Sequence, residues 1–224
     1  MLRSVNVQPS AKQRGRPKAE DAPAALDEIL AAALRAFATH GYEGVSVRTL
    51  NRELGVSHNL IHQRFGSKQG LWYSAVDRAF SQQITELATA FDPTLEDPLD
   101  QLNHAIRRFV RYSAERPELL GLMNIEARVD SERLDHIYDN YIAPALKPLG
   151  RLLDHLHKNG RIRPMSLRAL FFLIAHGAAA PFTLAALARH FDNTDPLDPN
   201  QVAEQAALTA DVITSGLRLD AAGR

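Results

Sequence analysis

The sequence predicts an all-α protein, and three observations carry that prediction. Apolar residues recur at steps of three and four from Ala24 onward, each such run opens and closes on residues that cap helices, and no stretch alternates as a strand does. The chain has 224 residues, 45% of them apolar and 23% charged, enough to build a sizeable core. It has no cysteine, which excludes disulfides, thiol nucleophiles and cysteine zinc sites and suits a reducing cytoplasm.

Residues 1–21 are polar and basic with almost nothing to bury, and read as a flexible arm. The first helix follows, with Leu26, Ile29, Leu30, Ala33, Leu34 and Phe37 on one face. Gly41 ends it, and Tyr42 is placed to pack back on its end. Ser46 then caps a short helix with Val47, Leu50 and Leu54 as its apolar positions, broken by Gly55. Ser57 caps another, in which Ile61 and Phe65 share a face, and Gly66 ends it. Ser67 caps a long helix running to about Phe91. Two very short helices between longer ones form a helix-turn-helix pattern, whose second short helix can enter a major groove.

The segment Asp92–Pro98, DPTLEDP, breaks the chain by composition. Beyond it helices are expected at 98–115, 117–129, 131–158, 166–190 and 199–218, giving about nine in all. Pro117 fits a first-turn position, NGRIRP at 159–164 is a turn, and Phe191–Pro199 is a loop. The expected division is an arm at 1–21, a helix-turn-helix domain at 22–72, and a helical bundle at 73–224.

Zero net charge conceals an asymmetry. Residues 1–72 hold 10 Lys and Arg against 6 Asp and Glu, whereas residues 73–224 hold 16 against 20. A basic first third on an acidic chain suits contact with a polyanion through that third alone. Ala169–Ala188 is the most apolar later stretch, but His176, Gly177 and Pro181 interrupt it and no second span accompanies it, so a buried helix is expected and no membrane contact. The N-terminus lacks the apolar run of a signal peptide. Catalysis is not expected: His155 and His157 point apart on a helix, and no phosphate-loop, GxSxG or HExxH motif occurs. Neither a metal nor a cofactor is expected.

From Ala25 to Phe80 the chain resembles the DNA-binding domain of the TetR family of repressors. The carrying residues are AFATHGYEGVSVRTL at 36–50, GVS at 55–57, and F-G-S-K at 65–68 followed by Leu71. The resemblance implies a cytoplasmic DNA-binding regulator, usually a repressor released by a small molecule. Two residues depart from the family pattern: His62 stands where many relatives have tyrosine, and Asn51 where they carry alanine. Both bear on which operator is read.

Candidate contacts to double-stranded operator DNA follow. His58, Asn59, Gln63 and Arg64 lie off the Ile61–Phe65 face and suit base edges, Asn and Gln for adenine and Arg for guanine; a solvated face is the alternative. His62 can hydrogen-bond a phosphate or a base. Ser46 and Ser57 offer hydroxyls and helix starts, and Arg48 and Lys68 offer phosphate contacts that set register rather than sequence. Leu60 either completes the packing with Val56 or meets a thymine methyl. The arm Arg14-Gly15-Arg16-Pro17-Lys18 resembles an AT-hook core, in which Arg14, Arg16 and Lys18 enter a narrow minor groove; a solubilising tail is the alternative.

The region 98–218 resembles the variable C-terminal part of TetR-type proteins, which implies a homodimer through the last two long helices and a pocket for a small, largely apolar effector. Leu167, Leu170, Phe171, Ile174, Ala178 and Leu187 supply apolar surface and Gly177–Ala180 allow close approach, although the same stripe also fits intramolecular core. Phe109, Tyr112, Met123, Tyr138, Phe172 and His176 are the candidate pocket residues, with Asn124 and Glu126 as orienting polar groups. A DNA binder of this fold without small-molecule control is the competing reading. A small molecule that raises the melting temperature separates the two, because binding to the native state must stabilise it.

Overall fold

The computed structural model describes residues 23–56, 59–88 and 91–219. Every named element among them is helical, in the order α1 (Pro23–Gly44), α2 (Val47–Glu53), α3 (Leu60–Phe65), α4 (Lys68–Ala88), α5 (Pro98–Glu115), α6 (Pro117–Glu126), α7 (Glu132–Ile137), α8 (Ala143–Lys158), α9 (Leu167–Phe172), α10 (Ala180–Thr183), α11 (Ala185–Asp192) and α12 (Pro199–Leu217). No helix among the described residues is long and apolar enough to cross a membrane.

Local chemistry explains the helix ends. Gly41 takes φ +69°, beyond easy reach of other residues, and a Cβ there would come within 3.3 Å of Ile125 Cγ2 on α6. Tyr42 folds back to stack on Phe37, with ring centroids 5.9 Å apart. Ser46, Ser67, Asp97, Ser131, Ser166 and Asp198 each accept a backbone N–H in the first turn of the helix that follows.

Two of the expected long helices are interrupted, and proline is the reason. The span expected at 131–158 is α7, a π-helical turn Tyr138–Ile142, and α8. Pro144 has no N–H to give the carbonyl of Asn140, and Ala143 N–H bonds instead to Tyr138 O, five residues back. The span expected at 166–190 is α9, a second π turn Leu173–Ala178, α10 and α11. Here Pro181 denies a bond to Gly177, Ala179 N–H reaches back to Ile174 O at 3.1 Å, and the chain breaks again at Leu184. These interruptions raise the expected nine helices to twelve α segments.

Two apolar cores result. One gathers α1–α4 with Tyr112, Leu119, Leu122 and Ile137; the other fills the space between α5, α8, α9 and α12. α4 runs through the boundary expected at 72/73, and its Leu71, Trp72, Val76 and Phe80 all lie in the first core. Leu170, Ile174 and Ala178, expected to offer surface to a partner subunit, are buried within the chain's own second core.

Candidate nucleic-acid interface and internal cavities

α3 is seated on α4 through Leu60 and Ile61, both buried, so Leu60 has a packing role. Asn59, His62 and Gln63 are exposed on its other side, and Arg64 is half-buried. Asn59 occupies the cap position without a side-chain cap bond. Arg48 is exposed on the first turn of α2, where Ser46 accepts from Thr49 N at 3.4 Å. Asn51, the departure in α2, is buried and so faces the core rather than an operator. Ser57, His58, Arg14, Arg16 and Lys18 lie outside the described residues.

Lys68 opens α4. Its Nζ lies 4.4 Å from the centre of the Tyr42 ring and donates to Glu43 O at 3.4 Å. The same ring receives the Arg133 guanidinium at 4.2 Å. Arg133 comes from α7, where its Nε donates to Glu126 Oε2 at 2.9 Å. Glu126 is 4% exposed, lines neither of the cavities described below, and is taken up by Arg133, whose guanidinium lies over the Tyr42 ring. Sequence alone could not separate these roles, because Arg133 is seven residues away across a turn.

Next to the α1–α4 unit, here called the head, lie two adjoining cavities that share Leu120, Met123, Ile142, Leu146 and Phe171. The inner chamber, about 100 Å³, is walled by Phe80, Phe109, Tyr112, Met123 and Tyr141 among others. The outer cavity, about 530 Å³, brings together Asn124, Tyr138, Phe172 and His176, with the last two rings stacked at 5.2 Å. Seven of the eight candidate pocket residues therefore line one or other cavity, distributed between the two.

Tyr141 was not singled out by sequence, yet it links the inner chamber to the head. Its hydroxyl donates to Asp77 Oδ1 on α4 at 2.6 Å, and His136 Nε2 lies 2.6 Å from the same oxygen. Asn140 Nδ2 sits 3.2 Å from His136 Nδ1, so the neighbours favour the tautomer with hydrogen on Nε2. Burial, then the bond to Asp77, pushes the Tyr141 phenol up to about 12. The hydroxyl is therefore a hydrogen-bond donor throughout the neutral range. Tyr73 packs edge-on to His136 at 4.6 Å, and Phe80 packs against Tyr141 at 5.4 Å. One helix, α4, thus carries the support of α3 at its start and a cavity wall further along.

Comparison with known proteins agrees with this anatomy. Residues 29–72 match the family described as bacterial regulatory proteins, tetR family, and residues 98–213 match the tetracyclin repressor-like C-terminal domain. The HTH-type transcriptional repressor AcnR of Corynebacterium diphtheriae is 30% identical over 132 residues, which cover 57% of this chain and 67% of that protein. The HTH-type transcriptional repressor ComR of Escherichia coli is 39% identical over 67 residues, 30% of each chain. The TetR family transcriptional regulator PfmR of Thermus thermophilus has the same fold, with a TM-score of 0.61 at 23% identity over 87% of this chain and 98% of that one. The chain belongs to the tetR family of bacterial regulatory proteins, and its head and cavity-bearing bundle are the two parts of a DNA-binding transcriptional repressor.

Proposed function

We propose that this repressor is a cytoplasmic homodimer that holds operator DNA with two copies of α3, and that a small, largely apolar molecule filling the internal cavities releases it. The observation that carries the reading is the bond from Tyr141 to Asp77, which joins a cavity wall to the helix on which α3 is seated. A guest that displaces Tyr141 displaces α4, and α4 carries the reading helix. In a two-fold dimer the distance between the two reading helices must match the half-site spacing, so a small movement of α4 in each subunit is enough to spoil the fit. The guest acts by binding the spread state more tightly; moving the population from 1:99 to 99:1 takes about 5.5 kcal/mol of preference. The reading involves no catalytic step.

Within the head, Asn59, His62 and Gln63 meet base edges, while Arg48 and Lys68 neutralise phosphates. The apolar side chains that α12 and the second π turn leave at the surface, Leu173, Leu208 and Val212, supply the contact between subunits, with Gly177 and Gly216 in the same hollow. The test uses a fluorescent duplex of the region upstream of the protein's own gene, titrated at several salt concentrations with wild type and Lys68→Ala. Tight binding that the substitution weakens roughly tenfold, with a shallower salt dependence, is the expected result. Equal, weak binding to every duplex refutes the operator reading. An unchanged separation of the two α3 helices on adding a ligand that binds refutes the release mechanism.

A further inference from the structure

The outer cavity differs in charge from the rest of the bundle. Its wall includes two guanidinium groups, Arg128 and Arg168, and the imidazole of His176, but no carboxylate. Neither arginine takes part in an ion pair among the described residues, although residues 73–224 carry more acids than bases. Among the described residues Arg107, Arg116, Arg133 and Arg161 are paired with carboxylates, whereas Arg111, Arg151 and Arg163 are not; what sets Arg128 and Arg168 apart is that they share one cavity wall that holds no carboxylate. The same wall holds Asn124, whose side-chain oxygen is buried without a hydrogen bond among the described residues. An amide can turn about its terminal bond to offer its NH₂ instead, which suits an anionic guest better than the oxygen does.

Below this polar mouth the walls are apolar. Leu146 and Phe171 border both cavities, and beyond them the inner chamber is lined mainly by aromatic and aliphatic side chains, with Ser113 and the Glu118-paired Arg116 the polar exceptions. A neutral hydrocarbon would leave the cations and the amide unused, and a cationic amphiphile would face two like charges. An anion without a tail would leave the apolar walls empty. The outer volume of about 530 Å³ is in the range of ordinary small-molecule sites. From the pairing of an unpartnered cationic mouth with an apolar interior, we infer that the guest is an amphipathic monoanion, a carboxylate on a medium-length hydrocarbon tail. Its head lies among Arg128, Arg168 and Asn124, and its tail points past Phe171 toward the inner chamber. This rests on the reading that the cavities hold the effector, and it adds the effector's charge and orientation. Arginine suits the role because its planar fork can hold a carboxylate by two parallel bonds.

The test compares three probes of one tail length, decanoate, 1-decanol and decylammonium, by calorimetric titration of the full chain. The expected order is decanoate about tenfold tighter than decanol, with decylammonium weakest. In the double variant Arg128→Gln/Arg168→Gln, decanoate falls to the level of decanol while decanol itself is unchanged, which also shows that the variant keeps its cavity. Equal affinity for decanoate and decanol in the wild type, a preference that survives the double variant, or no binding of any of the three overturns the inference. Operator release is measured separately with the same decanoate. If decanoate binds as expected and the operator stays bound, the release mechanism fails while the assignment of the ligand class stands.

Discussion

Gly70 carries a constraint that its helical setting alone would not suggest. A Cβ at this position would stand 2.0 Å from Phe65 O, on the last residue of α3. Helix propensity by itself favours alanine over glycine by about 1 kcal/mol. The overlap works the other way and is larger, because a carbonyl oxygen fixed at the end of α3 cannot swing aside as a flexible side chain would. Gly70→Ala should therefore destabilise the protein by about 1–3 kcal/mol and displace α3 from its seat on α4. Thermal unfolding and operator titration together check this: a variant as stable as wild type and binding as tightly would show that the contact relaxes without cost. The Tyr141 hydroxyl poses a different question at the same scale. Tyr141→Phe removes only the bond to Asp77 and leaves the ring against Phe80. Asp77 is nearly half exposed, so the expected loss is at the low end for a bond to a charged group, about 1–1.5 kcal/mol. The more telling readout is coupling. Trp72, the chain's one tryptophan, is fully buried on α4, so its emission reports the position of that helix. A ligand that shifts Trp72 emission in wild type should shift it much less in Tyr141→Phe; an equal shift would mean that the signal reaches α4 by another route.

At the scale of elements, the two π turns are the departures from regular helix that matter most. Both border the cavities: Tyr138, Tyr141 and Ile142 come from the first, Ile174 and His176 from the second. Each inserts an extra residue into a turn and so re-aims the side chains that follow it. The prolines responsible, Pro144 and Pro181, are plain in the sequence, but a proline in a helical pattern can kink, end or locally widen a helix, and packing chooses among these outcomes. α12 shows the opposite case. Its Val202, Ala206, Ala210, Ile213 and Leu217 are buried at helical spacing, while Leu208 and Val212, on the other side, remain exposed. Val212→Glu should leave the subunit folded and shift it from dimer to monomer in light scattering. A variant that stays dimeric would move the subunit contact away from α12.

For the whole molecule, charged groups tie elements far apart in sequence. Asp27 on α1 holds Arg78 on α4 by two bonds of 3.0 Å. Asp97, capping α5, accepts from Leu99 N and grips Arg161 beyond α8 at 2.8 and 3.0 Å. Asp211 on α12 accepts from Asn103 and Arg107 on α5. These bonds hold each carboxyl below its ordinary value near 3.8: Arg78 acts on Asp27, the Leu99 amide and then Arg161 on Asp97, and Asn103 and then Arg107 on Asp211. With the folded value below the unfolded one, the unfolded chain binds more protons between the two, so the stabilisation is complete only above the unfolded value, from about pH 5, and drains away as the pH falls through the folded values. The melting temperature should accordingly drop on acidification from about pH 5 to pH 3, and Asp97→Asn should make that drop shallower while lowering the plateau at neutral pH. Coincident acid profiles for variant and wild type would show that the pair with Arg161 contributes nothing, as exposed pairs often do.

The amino-acid order by itself determined the helical fold, the helix-turn-helix pattern and the inward face of α3, because caps, glycine breaks and 3.6-residue periodicity act over a few residues. Gly41, Ser46, Gly66 and Ser67 stop or start helices wherever they stand, and Ile61 must face inward whichever neighbour receives it. Tertiary structure alone decided what each buried polar group meets. Glu126 and Asn124 are two residues apart on one helix, yet Glu126 closes on Arg133 under the head while Asn124 borders the outer cavity. It also decided that Tyr141 reaches Asp77, 64 positions away in the chain, and that Arg128 and Arg168 line one mouth. Such pairings depend on the packing of whole helices, which sums many weak contacts over the molecule and leaves no periodic trace in the sequence.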